Sequence, residues 1–189
     1  SICPRLKSQV KADIQMQIVF TSSWPRSGST LLQTLLAQCP QNHCTPTSDV
    51  IELLVQMRNS YGNFEAFKAQ GVLRVKHRIK TAMRGLLEGY YADEVAANRT
   101  VFEKSRGWLA YIELLEEVLE QQVKIVCCVR DIREIVASFE RLHRENQLTK
   151  ADPLPSAYAD CQTVAGRAEQ LLAKDSVLGL MLNRFRDVF

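Results

Sequence analysis

The 189-residue sequence lacks a long apolar run, a paired-cysteine metal pattern and a large excess of charge. A helix that crosses a bilayer needs about 18 consecutive apolar residues, and no segment approaches that length. The first residues, SICPRLKSQVKAD, also lack the apolar stretch of a signal peptide. The net charge of +3 is too small to indicate nucleic-acid binding. We therefore expect no membrane span, no signal peptide and no nucleic-acid partner.

The six cysteines show neither a CxxC pair nor the spacing of zinc ligands. Cys127 and Cys128 are neighbours in an apolar segment, where free thiols act as small hydrophobic side chains. We therefore expect reduced thiols, a cytoplasmic protein and no metal site.

The composition is that of one globular domain, with 46% hydrophobic and 24% charged residues. Two segments read as strands followed directly by helices. The first strand covers residues 18–20 and leads through a turn-rich stretch into a leucine-rich helix that ends at Pro40. The second covers residues 123–129, is apolar enough to be buried on both faces, and precedes a helix from about Glu134.

Further short strands are predicted at residues 71–76 and 100–104. Helices are predicted from Ser48 to about Arg58, from 107 to 122, and as one long helix after Pro155. Strands that alternate with helices predict a three-layer α/β fold with a central parallel sheet flanked by helices.

The segment SWPRSGSTLL joins the first predicted strand to its helix. At such a junction the free N–H groups of the first helical turn and the positive helix end point to one place. Gly28 lets the backbone approach a phosphate, and Arg26 adds a fixed charge. Hydroxyl donors come from Ser27, Ser29 and Thr30. The segment lacks the GxxxxGK[ST] pattern, so it predicts either a different anion cradle or a capped helix after a serine-rich turn.

The segment PRSGSTLL resembles the 5′-phosphosulfate loop of the sulfotransferases, whose P-loop-like fold binds the donor 3′-phosphoadenosine 5′-phosphosulfate (PAPS). A second segment, VRDIREIVAS, resembles the 3′-phosphate motif of that family, in which an Arg at a strand end and a Ser eight residues later hold the phosphate. Arg130 and Ser138 match both positions. An arginine at the carboxyl end of a parallel strand also lies where open α/β sheets bind ligands. Taken alone, this segment is also compatible with a surface ion-pair cluster.

A third segment, VFEKS at residues 101–105, resembles the EKTP-like motif of the same family. The resemblance covers residues 18 to about 142, and loosely the segment LGLMLN. Because the family usually continues through a further strand, we expect residues 1–189 to be a single sulfotransferase-like domain, incomplete at its carboxyl end. The resemblance implies PAPS as donor, 3′-phosphoadenosine 5′-phosphate (PAP) as product, and an unidentified hydroxyl or amine acceptor (a small molecule, glycan or peptide), without a metal.

The resemblance also implies catalytic residues. Lys104 would stabilise the charge that grows on the departing PAP, unless it forms a salt bridge with a carboxylate such as Glu113. In cytosolic sulfotransferases a His after a short strand is the base, and His77 occupies a similar place, so it is our first choice. Tyrosylprotein sulfotransferases use a Glu instead, and that position here is Thr47. Two alternative bases lie nearby, Asp49 and Glu52, although Asp49 is equally typical of a helix cap.

Two charged groups have open interpretations. The basic group (Arg74, Lys76, Arg78, Lys80 and Arg84) predicts either a site for an acidic acceptor or a solvated helix face. Glutamates in the segment 107–122 predict a solvated surface. The main hypothesis is thus a PAPS-dependent sulfotransferase, and the alternatives are a non-catalytic PAP- or phosphate-binding domain and a P-loop kinase of small molecules.

Overall fold

A parallel sheet forms the centre of the fold. The computed structural model describes residues 16–149, residue 158 and residues 161–188. Within these residues the sheet has four strands in the order β2-β3-β1-β4. Their bounds are β1 (Ile18–Ser23), β2 (Asn42–Cys44), β3 (Thr100–Lys104) and β4 (Lys124–Cys128). All three strand pairs are parallel, which confirms the predicted sheet.

Helices flank this sheet and confirm the α/β fold class. The described helices are α1 (Ser29–Leu36), α2 (Val50–Ser60), α3 (Glu65–Gln70), α4 (Val72–Tyr90), α5 (Ala92–Ala96), α6 (Ile112–Leu119), α7 (Ile132–Thr149), α8 (Val164–Leu172) and α9 (Val177–Val188). Two 3₁₀ turns, Tyr61–Asn63 and Trp108–Tyr111, precede α3 and α6.

The main core packs α2, α4 and α6 against β1 and β3. Phe20 at the centre of β1 is fully buried and meets the ring of Trp108 edge-on, with 4.7 Å between ring centroids. A second apolar cluster joins α7, α8 and α9 through Ile135, Leu171 and Leu178. Burial of such side chains stabilises a fold by about 1.5–3 kcal/mol each, so these clusters fix the sheet and the helices around it.

The prediction that residues 71–76 form a strand is wrong. Val72 begins α4, and the buried residues of this helix are Val75, Met83 and Leu87. These positions recur at multiples of four residues, which places them on one face of a helix. Leu73, by contrast, is 84% exposed. A helical pattern sustained over 19 residues therefore outweighs a short apolar run at its start.

Two other expectations are corrected. β4 is not buried on both faces, because it lies at an edge of the described sheet and Val126 is 38% exposed. The long carboxyl-terminal helix is two helices, α8 and α9, which residues 173–176 separate. The start of the predicted long helix, after Pro155, lies largely outside the described residues.

Candidate active site

A cleft of about 780 Å³ lies where the parallel strands end. Because all strands run in one direction, their carboxyl ends share one edge, and the segments that follow β1, β2, β3 and β4 meet there. Seven of the nine predicted site residues line it: Arg26, Gly28, Ser29, Thr30, Lys104, Arg130 and Ser138. Motifs that are far apart in the sequence thus share one cleft.

The loop between β1 and α1 has the backbone of an anion cradle. Gly28 is the N-cap residue of α1 with a φ of 91°, in the left-handed region that favours glycine. No side chain caps this helix end, so the first-turn N–H groups keep their capacity to bind an anion. Arg26 also has a positive φ, 59°, an uncommon conformation for a residue with a side chain. The loop therefore stores backbone strain where a ligand would bind.

Ser27 differs from the other loop hydroxyls. Its Oγ donates a hydrogen bond of 2.7 Å to the carbonyl oxygen of Trp24, within the loop itself. Ser27 is not among the residues that line the cleft. Its side chain shapes the turn, and the hydroxyls that line the cleft are those of Ser29 and Thr30.

The two predicted phosphate motifs contact each other directly. Arg26 Nε donates to Ser138 Oγ at 3.0 Å, although the residues are 112 positions apart. Arg130 Nη1 donates to the carbonyl oxygen of Arg26 at 3.1 Å, and its Nε pairs with Glu134 at 2.7 Å. The segment VRDIREIVAS is therefore more than a surface ion-pair cluster, because it contacts the cradle loop.

Lys104 is the last residue of β3, and it lies between the cradle loop and the rest of the cleft. It is only 9% exposed, and its Nζ donates to Thr30 Oγ1 at 3.0 Å. No carboxylate forms an ion pair with it within the described part of the chain, so the alternative salt bridge to Glu113 is absent there. Burial, followed by the nearby charge of Arg106, lowers the pKa of Lys104. A buried ammonium group with an open cleft beside it favours an anionic ligand.

An acidic wall, defined as Thr47, Asp49 and Glu52, forms another part of the cleft lining. Asp49 is the N-cap residue of α2, but its side chain makes no capping hydrogen bond. Both carboxylates are exposed. The structure therefore brings the two alternative base candidates into the cleft with Lys104.

His77 does not join them. It lies within α4, is exposed, and is not among the residues that line the cleft. The case for His77 depended on a short strand before it, and that segment is helical. Its predicted role as the base remains untested, and the geometry no longer supports it.

The basic group on α4 is largely paired with carboxylates. Lys76 lies 2.7 Å from Glu117, and Lys80 lies 2.6 Å from Glu120. Arg84 pairs with Glu88 at 2.9 Å and approaches Glu120 at 3.7 Å. The charges of these three basic residues are balanced on the protein itself, so the group no longer favours an acidic acceptor. The α6 glutamates are likewise more than a solvated surface.

Sequence reasoning singled out neither Arg106 nor Tyr111, which both line the cleft. Arg106 follows the EKS segment, is exposed in the cleft and adds a cation beside Lys104. Tyr111, from the 3₁₀ turn before α6, adds an aromatic side chain. The signal for Arg106 was its position directly after a strand end, whereas Tyr111 carried no signal, since its place depends on how the turn packs.

The sequence profile of the sulfotransferase family matches residues 19–188 of the chain. The chain belongs to the sulfotransferase family. The match spans nearly all of the described structure, including every residue of the cleft lining named above. A comparison with curated proteins finds no match.

Two features are absent from the described residues of this sulfotransferase. Among the described helices, none has both the length and the apolar character that a membrane span requires. In residues 16–149, 158 and 161–188, no three His, Cys, Asp or Glu side chains converge as metal ligands would.

Proposed function

We propose that this sulfotransferase transfers the sulfuryl group of PAPS to a hydroxyl or amine acceptor and releases PAP. The observation that carries the proposal is the contact between the two phosphate motifs. The chain from Ser138 through Arg26 to Arg130 links two groups of phosphate-binding side chains by hydrogen bonds of 3.0 and 3.1 Å. A nucleotide with a phosphate at each end of its ribose, 5′ and 3′, fits such an arrangement.

Each motif has its own part in binding. The first-turn amides of α1, with Arg26, Ser29 and Thr30, bind the 5′-phosphosulfate. Arg130 and Ser138 bind the 3′-phosphate, which distinguishes PAP and PAPS from AMP and ATP. Arg130 would give up or share its contact with Glu134 in order to bind that phosphate.

PAPS supplies an activated sulfuryl group, and the protein must orient it and manage one proton. The acceptor atom forms a bond to sulfur while the bond from sulfur to the bridging phosphate oxygen breaks. That oxygen leaves with the electron pair, and Lys104 stabilises its charge. The proton of the acceptor passes to a carboxylate of the acidic wall, Asp49 or Glu52.

The acceptor approaches from the side of the acidic wall. Thr47, Asp49 and Glu52 lie in the same cleft as the nucleotide residues, on the segment that enters α2. An acceptor hydroxyl or amine bound between this wall and Lys104 lies close both to a carboxylate that can take its proton and to the sulfuryl group of PAPS.

The free thiols favour a reducing compartment. Among the described residues, five cysteines are free: Cys39, Cys44, Cys127, Cys128 and Cys161. Structural disulfides persist mainly in oxidising compartments. We therefore keep the cytoplasm as the proposed location.

The test is transfer of radioactive sulfur from labelled PAPS to a panel of hydroxyl and amine acceptors, with PAP release measured in parallel. We expect labelled product and equimolar PAP. Binding of PAP without any release from PAPS would instead indicate a non-catalytic nucleotide-binding domain. Consumption of ATP with Mg²⁺ in place of PAPS would indicate a kinase.

Lys104→Met sharpens this test, because methionine keeps much of the side-chain volume and removes the charge. Removing one donor to a developing negative charge typically lowers kcat by about 10²–10³-fold. We expect a loss of that size in PAP release. An unchanged rate would exclude Lys104 from the leaving side of the reaction.

A further inference from the structure

Glu103 is a buried carboxylate for which the reaction above has no use. It is 0% exposed, in β3, and points away from the cleft side of that strand, since its neighbour Lys104 faces the cradle loop. Three hydroxyl groups donate to it. Ser48 Oγ lies 2.6 Å from one carboxylate oxygen, Thr45 Oγ1 lies 3.2 Å from the other, and Tyr91 donates to that second oxygen as well.

This carboxylate is costly to keep. No cation forms an ion pair with it among the residues described, and burial raises its pKa. A buried charge is unfavourable unless hydrogen bonds compensate for the lost water, and a half-satisfied network is worse than an apolar core. The three hydroxyl donors supply that compensation, and they come from three separate parts of the chain.

The donors fix the segment that carries the acidic wall. Thr45 N–H donates to the Phe102 carbonyl at 3.1 Å, and the Lys104 N–H donates to Thr45 Oγ1 at 2.9 Å. Thr45 is thus bonded to β3 on both sides of Glu103. Ser48 Oγ also accepts the N–H of Val50 at 3.4 Å, at the first residue of α2.

We propose that Glu103 is a positioning residue that fixes the acidic wall relative to Lys104. One of its contacts, Ser48, directly precedes Asp49, and its own backbone neighbour is Lys104. The inference depends on the proposed function, in which Asp49 or Glu52 takes the proton and Lys104 faces the leaving oxygen. In-line transfer requires these groups on opposite sides of the sulfur, and a misplacement of about 1 Å can lower a rate about 10²-fold.

The variants that test this role remove single contacts. Ser48→Ala and Thr45→Val each remove one hydroxyl group that donates to Glu103. Glu103→Gln keeps the shape of that side chain but replaces the carboxylate with an uncharged amide. Ser60→Ala is the matched control, because Ser60 is the last residue of α2, is half-buried, and donates to the Gln56 carbonyl at 2.6 Å. Val118→Ala controls for stability, since Val118 is a core residue of α6 with 1% exposure.

Three quantities are measured for each variant, well below its Tm. They are the Kd for PAP, the kcat for PAP release from saturating PAPS with water as the acceptor, and the amide hydrogen exchange of residues 45–53. For Ser48→Ala and Glu103→Gln we expect kcat to fall about 10- to 100-fold with an unchanged Kd. Exchange at residues 45–53 should become faster. Val118→Ala should lower Tm without changing kcat, and Ser60→Ala should change none of the three quantities.

The proposal is overturned if the Ser48 and Glu103 variants keep the wild-type kcat, or lose it only in proportion to Tm as Val118→Ala does. Should the wild type bind PAP yet release none from PAPS, either with water or with any acceptor of the panel, the proposed function fails, and hydrogen exchange alone decides the positioning role. Faster exchange at residues 45–53 in the Ser48 and Glu103 variants then supports it. Unchanged exchange contradicts it.

Discussion

The cationic and acidic sides of the cleft are built in different ways. The cationic side consists of two strand–turn–helix units, in which the binding groups follow one another along the chain and the helix end supplies part of the charge. The acidic side is the short segment from Thr45 to Glu52, which takes its position from hydrogen bonds to Glu103 in β3, a carboxylate to which Tyr91, just after α4, also donates. One side is determined locally and the other by distant contacts.

The difference assigns nucleotide binding to the cationic side of the cleft and proton transfer to the acidic side. A phosphate cradle needs only a strand end, a glycine with positive φ and an uncapped helix, all within ten residues or so. A proton acceptor must be placed against a donor that another part of the chain holds. We therefore expect changes on the cationic side to act on affinity, and changes on the acidic side to act on rate.

The largest effect is expected from the acidic wall. Glu52→Gln and Asp49→Asn keep the side-chain shape and remove the proton acceptor. We expect one of them to lower kcat by about 10²–10⁴-fold, the usual contribution of a positioned base. The Kd for PAP should not change, because the wall faces the acceptor. Initial rates and calorimetry on the same preparations measure both quantities.

His77→Ala is the control for that experiment. His77 is exposed on α4 and does not line the cleft, so we expect wild-type turnover. Loss of turnover in His77→Ala, with both carboxylate variants active, would show that the acidic wall does not supply the base and that His77 does.

The next largest effect belongs to the cationic side. Arg130→Ala should weaken PAP binding by about 1.5–3 kcal/mol, the range for a lost charge-assisted hydrogen bond, and leave AMP binding unchanged. Arg26→Ala should weaken the binding of both PAP and AMP, because Arg26 lies at the 5′ end of the nucleotide site. Arg133→Ala is the matched control, since Arg133 lies three residues after Arg130, at the start of α7, and pairs with Asp131 at 2.6 Å outside the cleft lining. Equal losses of AMP and PAP in Arg130→Ala would show that the motif is misplaced.

The smallest effect concerns the pH dependence of stability. Burial raises the pKa of Glu103 above its ordinary value of 4.5, so the folded state holds this proton more tightly than the unfolded state. Its contribution to stability is therefore full below pH 4.5 and is lost as the pH rises through the folded pKa. We expect urea unfolding to show wild type losing stability relative to Glu103→Gln as the pH rises from 4.5 toward neutrality.

Other carboxylates do not obscure that comparison. Contacts with Arg133 hold the pKa of Asp131 at about 2, and Arg167 lowers that of Glu140, so both act with the opposite sign. They are present in both proteins and cancel in the difference. A difference that stays constant with pH would mean that Glu103 keeps an ordinary pKa in the folded protein.

The sequence was sufficient for the cationic side because its signals are local. The strands 18–20, 100–104 and 123–129 each contain a short apolar run, and β1, β3 and β4 are found there. Arg130 and Ser138 have a fixed spacing across one strand–helix junction, and both contact Arg26 of the cradle loop. Parallel strands then bring the junctions together without further information.

The acidic side was harder to predict because nothing local marks it. β2 has only three residues, Asn42–Cys44, and owes its place to pairing with β3. Because β2 was not predicted from the sequence, the position of residues 45–49 at the edge of the sheet could not be predicted either. The short run before His77 resembled a strand, and only the packing of Val75, Met83 and Leu87 against the core shows the helix. Glu103 lies in the VFEKS motif, but its role could not be predicted there, since that role comes from the hydroxyls of Ser48 and Tyr91, which lie outside the motif.

The measurement that tests the central claim most directly is calorimetric titration of the wild-type chain with PAP, AMP and ATP–Mg²⁺ under one set of conditions. If the contacts of Arg26 with Ser138 and with Arg130 form a two-phosphate site, PAP should bind more tightly than AMP by about 1.5–3 kcal/mol, and more tightly than ATP–Mg²⁺. Equal affinity for PAP and AMP would contradict the account, because the 3′-phosphate would then have no site.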